Sequence, residues 1–194
     1  MNAFKQRGLS LIEVMVAVVI SSILILGVTD LFNSSFMSGR SNSELARIQE
    51  NGRLAMEVIG SDARLAGLQT CTTNNWKADP IEDAVALGSN QKSLTLKYID
   101  PKKCDDVGAA LQTVTYTFAN NGLSKSVDGN AAQPLLGDDT EPVDGSFTLL
   151  PDNSTPETAN AVQITLQVQS SQANFSAREF SSTYELKNRL IARD

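Results

Sequence analysis

The stretch RGLSLIEVMVAVVISSILIL, residues 7–26, is almost a membrane span, yet it carries one carboxylate, Glu13. From Leu9 to Val28 the chain is apolar or small except at Ser10, Glu13, Ser21 and Ser22. A helix of that length, rising about 1.5 Å per residue, covers roughly 30 Å, the thickness of a bilayer's hydrocarbon core. Lys5 and Arg7 precede it with no acid beside them, which predicts a cytoplasmic amino terminus and a carboxy terminus on the far side. At the centre of such a helix an acid costs about 2.5–3.5 kcal/mol of insertion, and nearer the edge it costs less.

Composition narrows what such a chain can do. It has 194 residues, enough for one compact domain and an extended element. Aromatic residues make up only 6% of it, so the core is modest and aliphatic. The formal charge of −6 argues against binding to a phosphate backbone, which needs clustered Lys and Arg. There is no histidine, which removes Ser-His-Asp and Cys-His nucleophiles together with the commonest metal ligand. Two cysteines without histidine are too few for a zinc cage. In a chain with a membrane-directing start, the pair Cys71 and Cys104 points to one disulfide in an oxidising compartment. The loop it closes is about 34 residues long, for which chain entropy predicts about 4 kcal/mol of stabilisation. The pair is not CxxC and has no flanking base, so a redox role is disfavoured.

Three readings compete for residues 1–28. A cleaved secretory signal has a shorter apolar run and a small-x-small site, and LILGVTDLF offers only a poor one. A plain anchor explains the length but leaves Glu13 as an accident. The third reading gives the acid a role. Gly8-Leu9-Ser10-Leu11-Ile12-Glu13 resembles the processing site of type IV prepilins and of the related secretion pseudopilins. The resemblance implies that a prepilin peptidase removes residues 1–8 between Gly8 and Leu9, and that the new amine on Leu9 is methylated. Glu13 then takes the family's acid position, the fifth residue of the mature chain. Leu9 stands where that family usually has phenylalanine. The physics agrees: an acid in an apolar bundle is costly when unpaired, so helix register is favoured where Glu13 meets a neighbour's terminal amine. Trimming removes Lys5 and Arg7, leaving 14 of the 16 bases and a formal charge of −8.

No proline occurs before Pro80, so the helix is free to continue. Leu45, Ile48, Gly52, Ala55, Ile59, Ala63 and Ala66 step by three or four, with Leu54, Val58, Leu65 and Leu68 widening the stripe. Arg47, Glu50, Arg53 and Glu57 occupy other faces. Gly52, Gly60 and Gly67 each weaken the helix by up to about 1 kcal/mol, and Gly67 is placed to end it. The segment ARIQENGRLAMEVIGSDARLAGLQTC is similar to the one that follows the span in PilW-type minor pilins. It carries Gln49 to Arg53, the Asp62 and Arg64 pair, Ala66 with Gly67, and Cys71.

After Cys71 the texture becomes alternating. Strands are expected over SLTLKYI (93–99), TVTYTF (113–118), LSKSV (123–127), SFTLL (146–150), AVQITLQVQ (161–169) and EFSSTYELK (179–187), with a hairpin turn at Asn120-Asn121-Gly122. The predicted fold class is α+β: a long amino-terminal helix, half transmembrane and half amphipathic, laid against an antiparallel sheet in the general pilin plan. The expected divisions are a leader at 1–8, a membrane or filament-core helix half at 9–29, an amphipathic half at 30–68 and a β-rich head at 69–194. FSSTYELKNRL resembles the last strand of both PilW-type and J-type proteins.

Two acidic loops, CDDVG (104–108) and GDDTEPVDG (137–145), admit either solvated turns or a calcium site built from Asp138, Asp139, Glu141 and Asp144. Neither has EF-hand spacing, and no metal site or cofactor is assigned. Trp76 reads equally as a core plug or a partner contact. No catalytic constellation is present, so the chain does not read as an enzyme. The PilW-type resemblance implies a minor pilin at the initiating tip of a type IV pilus. It implies partners among other minor pilins, the major pilin, the prepilin peptidase and an inner-membrane assembly platform, and a path from a Gram-negative inner membrane to an extracellular filament. The alternatives are a J-type pseudopilin of type II secretion, which shares the plan, and a permanently anchored periplasmic binding module, which would retain MNAFKQRG.

Overall fold

A computed structural model describes residues 10–69, 81, 83–88, 90–101, 103, 110–170 and 175–188. The chain divides into two compact units, residues 1–46 and 47–194. One helix, α1 (Leu11–Leu65), contributes to both. It opens where Ser10 O accepts the backbone N–H groups of Glu13 (3.0 Å) and Val14 (3.2 Å). It closes as expected at Gly67, whose φ of 81° lies in the left-handed region that glycine enters without a Cβ penalty. The freed Gly67 N–H is not wasted: it donates to Lys97 O at 2.9 Å, which ties the helix end to the sheet.

In the first unit, every residue of α1 from Leu11 to Arg40 is exposed. In the second, α1 buries Ile48, Gly52, Ala55, Met56, Ile59, Gly60 and Ala63, and Ala66 is buried just past its end. Leu54 departs from the expected stripe and is 54% exposed. At about 100° per residue it lies some 240° around the helix from Ile48, on the far side from the buried face. Two glycines in the stripe make room for rings, because a Cβ on Gly52 would strike Phe180 and one on Gly60 would strike Tyr184.

Eight strands among the described residues form two antiparallel sheets, where one was expected. The first contains β1 (Val85–Leu87), β2 (Ser93–Ile99), β3 (Leu111–Ala119), β4 (Gly122–Val127) and β5 (Gln133–Leu136), in that spatial order. The second contains β6 (Val143–Leu150), β7 (Ala161–Val168) and β8 (Arg178–Glu185). Period-two alternation drives Leu94, Leu96 and Tyr98 of β2 inward, with Val114, Tyr116 and Phe118 of β3 and Val162, Ile164 and Leu166 of β7. The β3–β4 turn forms at Asn120-Asn121, both with positive φ (49° and 59°), which suits the twist of a tight hairpin. Strands β1 and β5 were not foreseen: one has three residues, and the other holds Pro134 at a sheet edge. The sheets are stitched along the outer edge of β6. Val143 N donates to Asn121 O and Phe147 N to Gln91 O, each at 2.8 Å, and Lys92 Nζ donates to Gly145 O between them at 2.8 Å. The Phe118 and Phe147 rings stack at 5.0 Å beneath this seam.

Candidate assembly surface

The exposed half of α1 is the most unusual surface of the molecule. Leu11, Ile12, Met15, Ile23, Leu24, Ile25, Leu26, Leu31 and Phe32 are all more than 60% exposed. No soluble surface tolerates so long a continuous apolar tract without a lipid or protein cover. By length and composition the helix is able to cross a membrane. Two of its hydroxyls suit that medium. Ser22 Oγ donates to Val18 O and Thr29 Oγ1 to Ile25 O, both at 2.8 Å, so neither leaves an unmet donor. Glu13 sits in the first turn of α1, at the positive end of the helix dipole. Together with Val14, Ala17, Val18, Ser21 and Ile25 it lines a shallow groove along one helix face. Its carboxylate therefore stands at the head of a strip suited to close packing.

A second polar feature, absent from the candidate site residues read in the sequence, fixes the other half of α1 to the head. Asp62 is only 7% exposed. Its Oδ1 accepts Tyr98 Oη at 3.1 Å, and its Oδ2 accepts Tyr116 Oη at 2.6 Å and Lys125 Nζ at 2.8 Å. Three successive strands, β2, β3 and β4, thus each send one donor to a single helix carboxylate. Lys125 Nζ also lies 5.4 Å from the Tyr116 ring centroid. Burial, reinforced by the charge and hydrogen bond of Asp62, pushes the Tyr98 hydroxyl above its usual range. Tyr116 is raised too, by burial first and then by its hydrogen bond to Asp62. A signal was present: Asp62 stands on the stripe, three residues after Ile59 and four before Ala66, where only an apolar or a paired residue belongs.

The acidic loop residues occupy separate places. Asp138 Oδ1 accepts Thr140 N (2.7 Å), Thr140 Oγ1 (2.6 Å) and Glu141 N (2.8 Å), closing the turn on itself. The Thr140 hydroxyl, followed by these backbone donors, holds the Asp138 carboxyl below its usual range. Glu141 receives both guanidinium nitrogens of Arg47, Asp139 meets Asn121 Nδ2 at 3.4 Å, and Asp144 meets Lys92 Nζ at 2.6 Å. The Lys92 hydrogen bond lowers Asp144. Among the described residues no three Asp, Glu, His or Cys side chains gather closely enough to hold a metal ion. Gly8, Leu9, Cys71, Trp76, Cys104 and the acids of CDDVG lie outside the described residues.

An apolar amino-terminal helix, long enough for a membrane, continuing into an antiparallel β head defines a pilin-like arrangement. The pattern described as the prokaryotic N-terminal methylation motif matches residues 3–29. Over 170 residues the chain is 28% identical to the pilin-like protein PilA3 of Thermus thermophilus, a match covering 86% of this chain and 68% of that protein. Fold, motif and likeness agree: a pilin-like arrangement carries an N-terminal methylation motif at the apolar end of its helix, in a chain similar to a pilin-like protein.

Proposed function

We propose that the chain is a minor pilin of the PilW type, a structural rather than catalytic subunit that initiates a type IV pilus and stays at its tip. On this reading residues 1–8 are a leader cut between Gly8 and Leu9, and Leu9 becomes N-methylated. Residues 9–29 lie in the membrane before assembly and in the filament core after it. Residues 30–68 carry the helix into the β-rich head at 69–194, which the Cys71–Cys104 disulfide braces. Glu13 pairs with the terminal amine of a neighbouring subunit. The observation that carries the proposal is a coincidence of position. The methylation motif ends at residue 29, and the wholly exposed apolar part of α1 begins at Leu11 and carries Glu13 in its first turn.

The test is the intact mass and amino-terminal sequence of the non-reduced protein from its native membrane. A chain starting at N-methyl-Leu9 with Cys71 bonded to Cys104 is the expected result. A chain still starting at Met1 overturns the pilin assignment in favour of a permanent anchor. Partner pull-down from trimmed material then separates a pilus tip from a type II secretion pseudopilus.

A further inference from the structure

The four sheet edges are not protected alike. β1 is three residues long, β5 carries Pro134, and β6 is sealed by the seam from Asn121, Gln91 and Lys92. β8 has eight residues and no proline, and among the described residues no strand lies on its outer side. Its polarity follows from the register. Leu186 N donates to Asn160 O at 2.8 Å, and Val162 opposes Tyr184, so the even-numbered residues of β8 turn their backbone toward β7. Glu179, Ser181, Thr183 and Glu185 therefore turn their N–H and C=O groups outward. No hydrogen bond to those groups is found among the described residues.

This edge borders a trench. α1 runs alongside β8, held by Tyr184 Oη to Met56 O and Asn188 Nδ2 to Arg64 O, both at 2.8 Å. Arg53, Met56, Arg64, Phe180, Ser182 and Tyr184 line the space between them. The charges on the two sides of the edge differ. On the solvent face Glu179 has no cationic partner among the described residues, meeting only Gln167 Nε2 at 3.2 Å. In the trench the Arg64 guanidinium lies 5.5 Å from the Tyr184 ring centroid and meets no carboxylate among the described residues.

We infer that the outer edge of β8 accepts an extended segment of another filament subunit, added as a fourth strand to the β6–β7–β8 sheet. This inference rests on the pilin reading above. Unpaired, regularly spaced backbone groups select an extended chain over a helix. The charges select its sequence: a Lys or Arg opposite Glu179 on the solvent face, and an Asp or Glu reaching Arg64 from the alternate face toward the other end.

The experiment places the photo-crosslinking residue p-benzoylphenylalanine at Ser181 of the full chain in its native cells. Crosslinked peptides, intact mass and filament incorporation are read from one sample. Crosslinks to an extended segment of a second subunit, lost in Thr183→Pro, are expected. That proline removes an outward N–H that no ladder bond uses, so the melting temperature stays put while incorporation falls roughly tenfold. Glu179→Lys, which leaves the backbone intact, lowers incorporation about threefold. Normal incorporation of Thr183→Pro, or crosslinks falling only on helices, overturns the strand addition. Untrimmed chains overturn the pilin reading instead, whatever the crosslinks show.

Discussion

Asp62 illustrates how one residue sets a register. A carboxylate on the buried stripe of α1 is tolerated because β2, β3 and β4 each supply a donor, and those donors meet only when helix and sheet are aligned. Removing the acceptor strands two tyrosine hydroxyls and an ammonium. Lys125 keeps 28% of its side-chain surface, so water relieves part of that loss. Asp62→Leu should therefore cost about 3 kcal/mol, whereas Lys125→Met, which leaves the carboxylate its two hydroxyl donors, should cost about 1 kcal/mol. Urea midpoints at unchanged slope measure both. The same tyrosines give a pH dependence of definite sign. Their hydroxyls hold protons more tightly in the folded chain than the ordinary value of about 10. The folded state thus binds more protons above that value, and stability, intact below pH 10, falls as pH rises through it. Thermal unfolding between pH 8 and 11 should show this fall, and the double variant Tyr98→Phe, Tyr116→Phe should flatten it.

At the scale of elements, two terms oppose each other in the glycines of α1. Gly→Ala in a helix gains about 1 kcal/mol from propensity. Here the added methyl meets an aromatic ring closer than 3.0 Å at both Gly52 and Gly60. Overpacking of that kind costs about 1–3 kcal/mol and wins. The Tyr184 ring is pinned by its bond to Met56 O, while the Phe180 ring has no such tether, so Gly60→Ala should lower the melting temperature more than Gly52→Ala. Much of this layer is legible in sequence, because local patterns encode it. Period-two runs mark β2, β3 and β7, Asn120-Asn121-Gly122 marks a turn, and the stepped stripe ending at Gly67 marks the helix. The split into two sheets is not local. It depends on seams such as Val143 to Asn121, where residues distant in sequence decide whether β6 joins the first sheet's ladder or abuts it. β5 is hidden by Pro134, which reads as a strand breaker, while Asp62 shows on the stripe but its partner Lys125 is hidden 63 positions further along the chain.

At the scale of the whole molecule, Glu13 has two physical explanations, which assign it different consequences. As an acid in the first turn of α1 it stabilises the helix start by about 0.3–1 kcal/mol through the dipole. As a partner for a neighbour's terminal amine it matters only in the assembly, where an unpaired charge in an apolar bundle costs several kcal/mol. Glu13→Gln separates the two. Glutamine retains hydrogen-bonding capacity at that position while losing the charge, so helicity should change little and insertion should become slightly easier. If pairing is the role, the variant is trimmed and reaches the membrane in normal amounts but enters filaments poorly, and Glu13→Asp recovers part of the loss. Equal incorporation of Glu13→Gln and the natural chain would leave the acid as a helix start signal alone. Quantifying the chain in sheared filaments against the membrane fraction distinguishes these outcomes. The apolar tract from Leu11 to Val28 would then still require a cover, but its register would have to come from shape alone.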